Sequence, residues 1–478
     1  MGKNIKVSIC TIALATSLAA CTTDTQNLET TIVDSTDETT TNIIEQENSE
    51  EKNTEQFTDR DLDPSYDESE AININFNDDE ITSTNDSLTI DSNTVTINEE
   101  GIYVFTGSLS NGQIIVDTDS ESKVQIVLDN VEIINDVLAP IYVKQADKVF
   151  VTILDGTSST LTTISDIEEE ADTNIDGVIY SKDDLVINGD GILNISSSEN
   201  GVVSKDDLKL CNVTLNISAE NHGLEANDSI RVSGADLNIE AFEDGINVGS
   251  DDSGDIYIAS GNIDIIAGDD GMHSTSTITI DGGNITIIES NEGIESALIT
   301  INEGYIDITS SDDGFNATSD ISDDICLEIN GGEVHVDASG DGLDSNGDIT
   351  INGGETYVVQ HYDKNGPIDY NGVGSMNGGI LIAVGSSDML QTIESTTQGT
   401  IITTVTGDGD LTLTNSNGDV IAQLDTDSTY EGVYISASGI NESEEYTLQT
   451  GSSTTTIEMT SLNYSSGVTS NMSGKKGK

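Results

Sequence analysis

ITSSDDGFNATSD occupies residues 308–320, and at its centre an acidic pair is followed by a glycine and an apolar residue, Asp312-Asp313-Gly314-Phe315. Looser spellings of the same word recur: NIDGVI at 174–179, SENGVV at 198–203, AENHGLE at 219–225, AFEDGIN at 241–247, AGDDGMH at 267–273, SNEGIE at 290–295 and SGDGLD at 339–344. Their glycines, Gly177, Gly201, Gly223, Gly245, Gly271, Gly293, Gly314 and Gly342, follow one another at intervals of 21 to 28 residues. Self-similarity at that period is the mark of a solenoid.

Each period has the same internal order. After the glycine word comes an alternating run, such as LVIN at 185–188, ITID at 278–281 or ITIN at 349–352. A short turn follows, often Gly-Gly, and then a second run, such as TLNIS, DLNIE, NITII or YIDIT. Alternation with period two and β-branched residues reads as strand. Two clear strands and a shorter one at the glycine word make one coil of an all-β parallel β-helix, with about 22–24 residues per coil. One coil cannot bury its inner face; stacking coils about 4.8 Å apart pairs the backbone and closes the core. A leucine-rich repeat is excluded by its missing helical half, and a β-sandwich does not require such even copies. The word glycines are expected at sharp corners that need positive φ. Asn188, Asn302, Asn330 and Asn352 end equivalent strands. Either they stack as a hydrogen-bonded amide ladder or they reflect plain turn preference.

The chain has 478 residues, 15 Lys plus Arg against 88 Asp plus Glu, and a formal charge of -73. Such a charge excludes a basic nucleic-acid footprint and repels polyanions that arrive without cations. The N-terminus combines Lys3 and Lys6 with an apolar run, Ile9 to Ala20, ending LAAC at 18–21. It reads as a signal peptide over 1–20, with lipid attachment at Cys21 after cleavage. An ordinary signal peptide with an incidental Cys is the rival. A lipid anchor would place the protein on the extracellular face of a bacterial cell membrane. Residues 21–70 have too few apolar side chains for a core and are expected to form a disordered tether. Residues 71–415 then form the solenoid, 416–460 a β cap over its open end, and 461–478 a loose tail. Cys211 and Cys326 fall five coils apart, roughly 24 Å at one strand spacing per coil, so free buried thiols are expected. No motif fixes an oligomeric state, and a monomer is favoured.

Several blocks also resemble a known family: GQIIVDTD (112–119), VQIVLDNVEI (124–133), IYVKQADKVFVTILDG (141–156), IYSKDDLVINGDG (179–191), VVSKDDLKL (202–210) and GPIDYNGVGSMNGGILIAVGSSDM (366–389). They are similar to the bacterial carbohydrate-binding domain-containing proteins, over roughly residues 71–415. The resemblance implies a right-handed, single-stranded parallel β-helix like that of pectate lyases. It further implies binding of polysaccharide, including cellulose and acidic pectic sugars, with bound calcium.

The residues lead to calcium by their own route. Stacked coils bring Glu243-Asp244, Asp269-Asp270, Asn291-Glu292, Asp312-Asp313 and, one residue shifted, Asp341 into a row about 4.8 Å apart. Between Arg231 and Lys475 the only Lys or Arg is Lys364. Unneutralised carboxylates at that spacing repel one another, and their pKa values should rise. Hard oxygen ligands at such density suit Ca²⁺. The candidate ligands are Glu243, Asp244, Asp269, Asp270, Glu292, Asp312, Asp313 and Asp341. Asp251-Asp252, Asp323-Asp324 and Asp344 are weaker candidates. The rival reading makes each Asp a turn cap facing water. Zinc is disfavoured because His222, His273 and His335 are scattered singly in sequence, with no Cys beside them.

SKDD occurs at 181–184 and 204–207, which stacks Lys182 and Lys205 one coil apart. They form an ion-paired ladder or contact an acidic sugar. Tyr357, His361, Tyr362 and Tyr370 cluster near the end of the repeat as a candidate sugar-contact patch, with structural packing as the rival. Lyases of this fold use a Lys or Arg base, which the most acidic coils lack, and the paired carboxylates of a hydrolase are too common here to single out. A non-catalytic polysaccharide binder is the reading; a structural or adhesive surface protein is the alternative.

Overall fold

The computed structural model describes residues 56–467 apart from 79, 86–87, 166–173, 250–252, 362–363 and 388. The signal peptide, Cys21, most of the tether, Asp251-Asp252, Tyr362 and residues 468–478 lie outside the described residues. The repeat winds into a parallel β-solenoid of about 11 turns. Each regular coil contributes a strand to each of three stacks. The first stack follows the glycine word: Asn200–Ser204, Leu224–Ala226, Ile246–Val248 and their successors to Ile368–Tyr370 pair in parallel. The second runs through Asp184–Asn188, Asp207–Cys211 and Ser229–Ser233. The third runs through Ile192–Ser197, Thr214–Ala219, Ala235–Ala241 and onward to Ile380–Gly385.

Register explains the core. In the second stack Leu185, Leu208, Ile230, Ile256, Ile278, Ile299, Leu327 and Ile349 lie directly above one another. All are buried, so the alternation read in sequence becomes a continuous aliphatic column. The amide ladder also forms. Asn330 donates to Asn302 at 2.8 Å, Asn352 to Asn330 at 2.7 Å and Asn377 to Asn352 at 2.8 Å. Asn188 stands apart, accepting from Thr152 and donating to the Asp61 carbonyl.

The word glycines do not serve the expected purpose. None has positive φ; those φ values, 75° to 108°, belong to the turns before the third strand, at Gly283, Gly304, Gly332, Gly354 and Gly379. The word glycines are required by space instead. A Cβ on Gly271 would lie 2.6 Å from the Gly293 carbonyl oxygen and 2.6 Å from Ile287 Cδ1, and one on Gly245 would lie 2.7 Å from the Gly271 oxygen. Coil stacks on coil so closely here that no side chain fits.

Three boundaries move: Asn463–Ser466, expected in the loose tail, is a strand paired in parallel with Gly399–Asp408. The parallel stack ends at Gly385, where Thr429–Ala437 pairs antiparallel with Ile380–Gly385 and with Gly399–Asp408. The cap therefore begins before residue 416. A separate antiparallel sheet of Leu411–Asn415, Val420–Leu424, Glu445–Thr450 and Ser453–Glu458 completes it over its own core, which includes Leu413, Tyr446 and Leu448. At the other end, residues 56–70 do not belong to a tether. Thr58 caps a helical turn, Asp59–Leu62, through a reciprocal capping box with Asp61. This segment lies against the outer side of the second stack. Phe57 packs with Phe150, Val186, Cys211 and Tyr257. Arg60 sits 4.8 Å over the Phe150 ring and donates to Gln125 at 2.6 Å. Asp61, wholly buried, takes Lys209 at 3.0 Å and Lys148 at 3.5 Å. Composition flagged the stretch as unable to form a core; it is ordered because it borrows one. Cys211 is buried as expected, but Cys326 is only half-buried; both are free, and burial raises their thiol pKa values to about 12 and about 11.

Asp61→Ala leaves Lys209 without its ion-pair partner in a largely closed environment, and leaves Lys148 only Asp184, at 3.2 Å. Breaking such a buried pair costs about 3–5 kcal/mol, so the variant should unfold at clearly lower denaturant concentration than wild type in equilibrium urea titrations. An unchanged midpoint would mean the ion pair is dispensable.

Candidate metal and glycan site

The glycine column is flanked by two outward rows of polar side chains. In the first, the residue before each glycine stacks on its equivalent: Gly223 N–H donates to the Asp244 carbonyl, Gly245 to Asp270, Gly271 to Glu292, Gly293 to Asp313 and Gly314 to Asp341. His222, Asp244, Asp270, Glu292, Asp313 and Asp341 therefore form one file. The acidic pairs split: Glu243, Asp269 and Asp312 are exposed, whereas Asp244 and Asp270 are buried and Asp313 is half-buried. Several inner carboxylates commit one oxygen to the next coil, as Asp244 accepts from Asp270 N–H at 3.0 Å and Asp313 from Asp341 N–H at 2.6 Å. Capping does occur, but it ties coil to coil rather than closing each turn on itself.

The second row follows the apolar residue of each word and was not singled out in sequence. Glu225, Asn247, His273, Glu295, Asn316, Asp344 and Asp369 stand in register on successive strands. The signal was there, as the last letter of HGLE, DGIN, DGMH, EGIE, DGFN and DGLD. Attention to the acidic pair hid it. Hydrogen bonds run along this file from His273 to Asn247 at 3.0 Å and from Asn316 to Glu295 at 2.6 Å.

Among the described residues, three groups have ligand atoms within 4.8 Å of one another: Asp269–Asp270–Glu292, where the first row meets the exposed Asp269, and Asp270–His273–Glu295 and Asp341–Asp344–Asp369, where the two rows meet. The first and third offer only oxygen and suit a hard cation. The second adds an imidazole, so His273 is not the isolated residue it is in sequence. Charge crowding is visible in the titration of these groups. Burial, then the neighbouring carboxylates Asp313, Asp341 and Asp369, push Asp344 up to about 8. Burial first and adjacent acids next raise Asp313 to about 7, Asp341 to about 6 and Glu295 to about 7. Asp270 is raised most strongly, by burial and then by its contact with Glu292. Protein cations do not relieve this crowding beyond the first coils. Lys205 pairs with Glu225 at 2.8 Å, and past it no Lys or Arg stands in either row. A divalent cation fits the donor set and would remove the repulsion.

Lys182 and Lys205 are stacked but already engaged: Lys182 lies 5.8 Å over the Tyr142 ring, and Lys205 lies 5.7 Å over Tyr180 in addition to its ion pair. The partner of Lys205 is Glu225, not an aspartate of SKDD. The tyrosine patch divides. Tyr370 is half-buried, donates to the Thr392 carbonyl at 2.6 Å and packs on the core, which makes it structural. His361 is exposed and bonds Asp337. Tyr357 stacks on His335 at 5.0 Å, and His335 lies 5.5 Å from Tyr305, so three rings line the outside of the third stack.

The chain belongs to the carbohydrate-binding domain-containing protein family, whose model matches residues 91–366. A carbohydrate-binding domain-containing protein of Acetivibrio thermocellus is 36% identical over 148 residues, which is 30% of this chain and 52% of that protein. The chain thus spans about half the length of this relative. A solved polysaccharide lyase-like protein from C. thermocellum, a gadolinium derivative, is 32% identical, covering 50% of this chain and 97% of its own, with a TM-score of 0.43.

The raised carboxyl groups give a pH signature. Their folded pKa values exceed the unfolded value near 4, so the folded state holds protons that the unfolded chain releases, and stability falls as pH rises from about 4 to 8. In chelator, the thermal midpoint should drop across that window, and Asp344→Asn should flatten the drop. A metal-free midpoint that stays level or rises, or a variant with the wild-type slope, contradicts the electrostatic reading.

Proposed function

We propose that the protein is a non-catalytic, calcium-dependent polysaccharide-binding protein of the bacterial cell surface. The observation that carries this reading is the gathering of carboxylate oxygens within 4.8 Å of one another at Asp341–Asp344–Asp369, where the two rows meet, and at Asp269–Asp270–Glu292 beside the first row. Ca²⁺ held there would order the cleft and offer open coordination positions to the hydroxyl or carboxylate oxygens of a sugar. It would also neutralise the approach of an acidic, pectin-like chain to a protein of charge -73. Family membership supports carbohydrate as the ligand class. Against catalysis stands the engagement of two candidate bases: Lys205 is paired with Glu225, and Arg231 with Asp207 at 2.9 Å.

The test uses the mature chain. Chelation should lower the thermal midpoint, Ca²⁺ should restore it and Mg²⁺ should do so poorly. Retention on polygalacturonate should follow Ca²⁺, and Asp344→Asn combined with Asp369→Asn should weaken calcium binding at least about tenfold, as loss of two charged ligands implies. Chelation and calcium without effect on either readout would sink the calcium reading, and release of unsaturated oligosaccharides would sink the non-catalytic one.

The surface location rests on the LAAC sequence at 18–21. No helix among the described residues is long and apolar enough to cross a membrane. In a bacterial host, Cys21→Ala should abolish incorporation of labelled fatty acid and shift the protein out of the membrane fraction; labelling that persists in the variant would rule out Cys21 as the anchor.

A further inference from the structure

We propose a second glycan site, independent of calcium, on the outer side of the third stack: an axial groove that takes a neutral polysaccharide. The proposal rests on the carbohydrate-binding reading above but not on its metal. A groove of about 450 Å³ opens here, lined by Asn194, Asn216, Asn238, Asp264, Ile266 and Ile288 among others. Its polar wall is an amide ladder distinct from the one beside the Gly-Gly turns. Asn216 donates to Asn194 at 2.9 Å and Asn238 to Asn216 at 3.0 Å, each on the equivalent position of successive coils. A primary amide has two N–H donors and two lone pairs. The link along the ladder uses one of each at Asn216, which leaves one donor and one acceptor there; Asn238 keeps a donor and its acceptor oxygen, and Asn194, whose amide nitrogen donates to Ser158 Oγ and the Ser159 carbonyl, keeps an acceptor, at steps of about 4.8 Å along the axis. Sugar hydroxyls, which both donate and accept, match that pattern.

The apolar wall is created by a local irregularity. Ile265 pairs with Ile287, but Ile266 pairs with Glu289, so Ile288 is the extra residue of a β-bulge. The bulge turns Ile288 outward, 49% exposed, beside Ile266, 39% exposed. At the equivalent of Ile266 the preceding coils carry Ser196, Ser218 and Glu240. Bulges commonly re-aim side chains at functional surfaces, and here one places an aliphatic ridge opposite an amide rail. Hydroxyl edges can bond the rail while the C–H face of a pyranose rests on the ridge. Further along the same register line come His335 and Tyr357, stacked, with Tyr305 beside them, a surface for ring stacking. The rim carries Glu240 and Asp264 and no basic residue lines the groove. A polyanion is repelled by that rim, whereas a neutral chain finds two more acceptors.

The mature chain, in excess chelator, is titrated calorimetrically with cellohexaose, xylohexaose, mannohexaose and hexagalacturonate. At least one neutral hexasaccharide should bind, and hexagalacturonate should not. Ile288→Asp and Asn238→Ala should each weaken that binding about tenfold or more, equivalent to 1.4 kcal/mol. Ile288 projects from the surface, so its substitution should leave the unfolding midpoint where it was. The proposal is overturned if no neutral hexasaccharide binds without calcium, if hexagalacturonate binds as well, or if folded Ile288→Asp binds like wild type. Because every arm is run in chelator, failure of the calcium reading leaves this result intact, and the reverse also holds.

Discussion

In-register stacking at a single strand spacing governs this molecule. Once coil pairs with coil through parallel backbone hydrogen bonds, every side chain meets its own equivalent about 4.8 Å above and below. The fold is stable only where such self-contact is favourable. Aliphatic side chains satisfy it inside, as in the column from Leu185 to Ile349. Amides satisfy it outside, twice, because an amide is its own complement. Where two coils approach too closely for any side chain, glycine is left, as at Gly245 and Gly271.

Carboxylates are the exception. A column of like charges is the worst choice for self-stacking, yet this chain builds one along the glycine column, from Asp244 to Asp341, with a mixed row of acids, amides and a histidine beside it. Some of the repulsion is offset by backbone N–H groups donated from the next coil, as at Asp244 and Asp313. The rest remains as raised proton affinity in Asp344, Asp313 and Glu295.

Much of this was legible in the sequence, for a definite reason. Period-two alternation and a recurring glycine survive any uncertainty in turns, so the coil, its three strands and the file from Asp244 to Asp341 could be aligned. The second file could not be weighed as easily, since Asn247, His273, Glu295, Asn316 and Asp344 differ in residue type and only geometry unites them. The corner glycines were recognised but given the wrong cause, because φ and crowding leave the same letter in the sequence. The end of the solenoid was misplaced because parallel and antiparallel strands alternate alike; pairing direction at Gly385 is a tertiary fact. The docked segment at 56–65 was hidden by its composition, which resembles a linker until Lys148 and Lys209 supply the missing partners.

That segment alters the mechanics of the whole. Solenoids are nearly one-dimensional, and each coil ordinarily knows only its neighbours. Residues 56–64 run across the grain, touching Tyr257, Arg231, Lys209, Asn188, Phe150 and Gln125 on six successive strands of one face. They act as a stitch through stacked pages, so the coils beneath must open together. Among the described residues, the coils beyond Tyr257, which carry most of the acidic rows, have no such seam. The protein is therefore divided into a bound spine and a leafed half, and backbone hydrogen exchange should fall into two classes along that line. Ligand occupancy would add its stability to the half that lacks the thread.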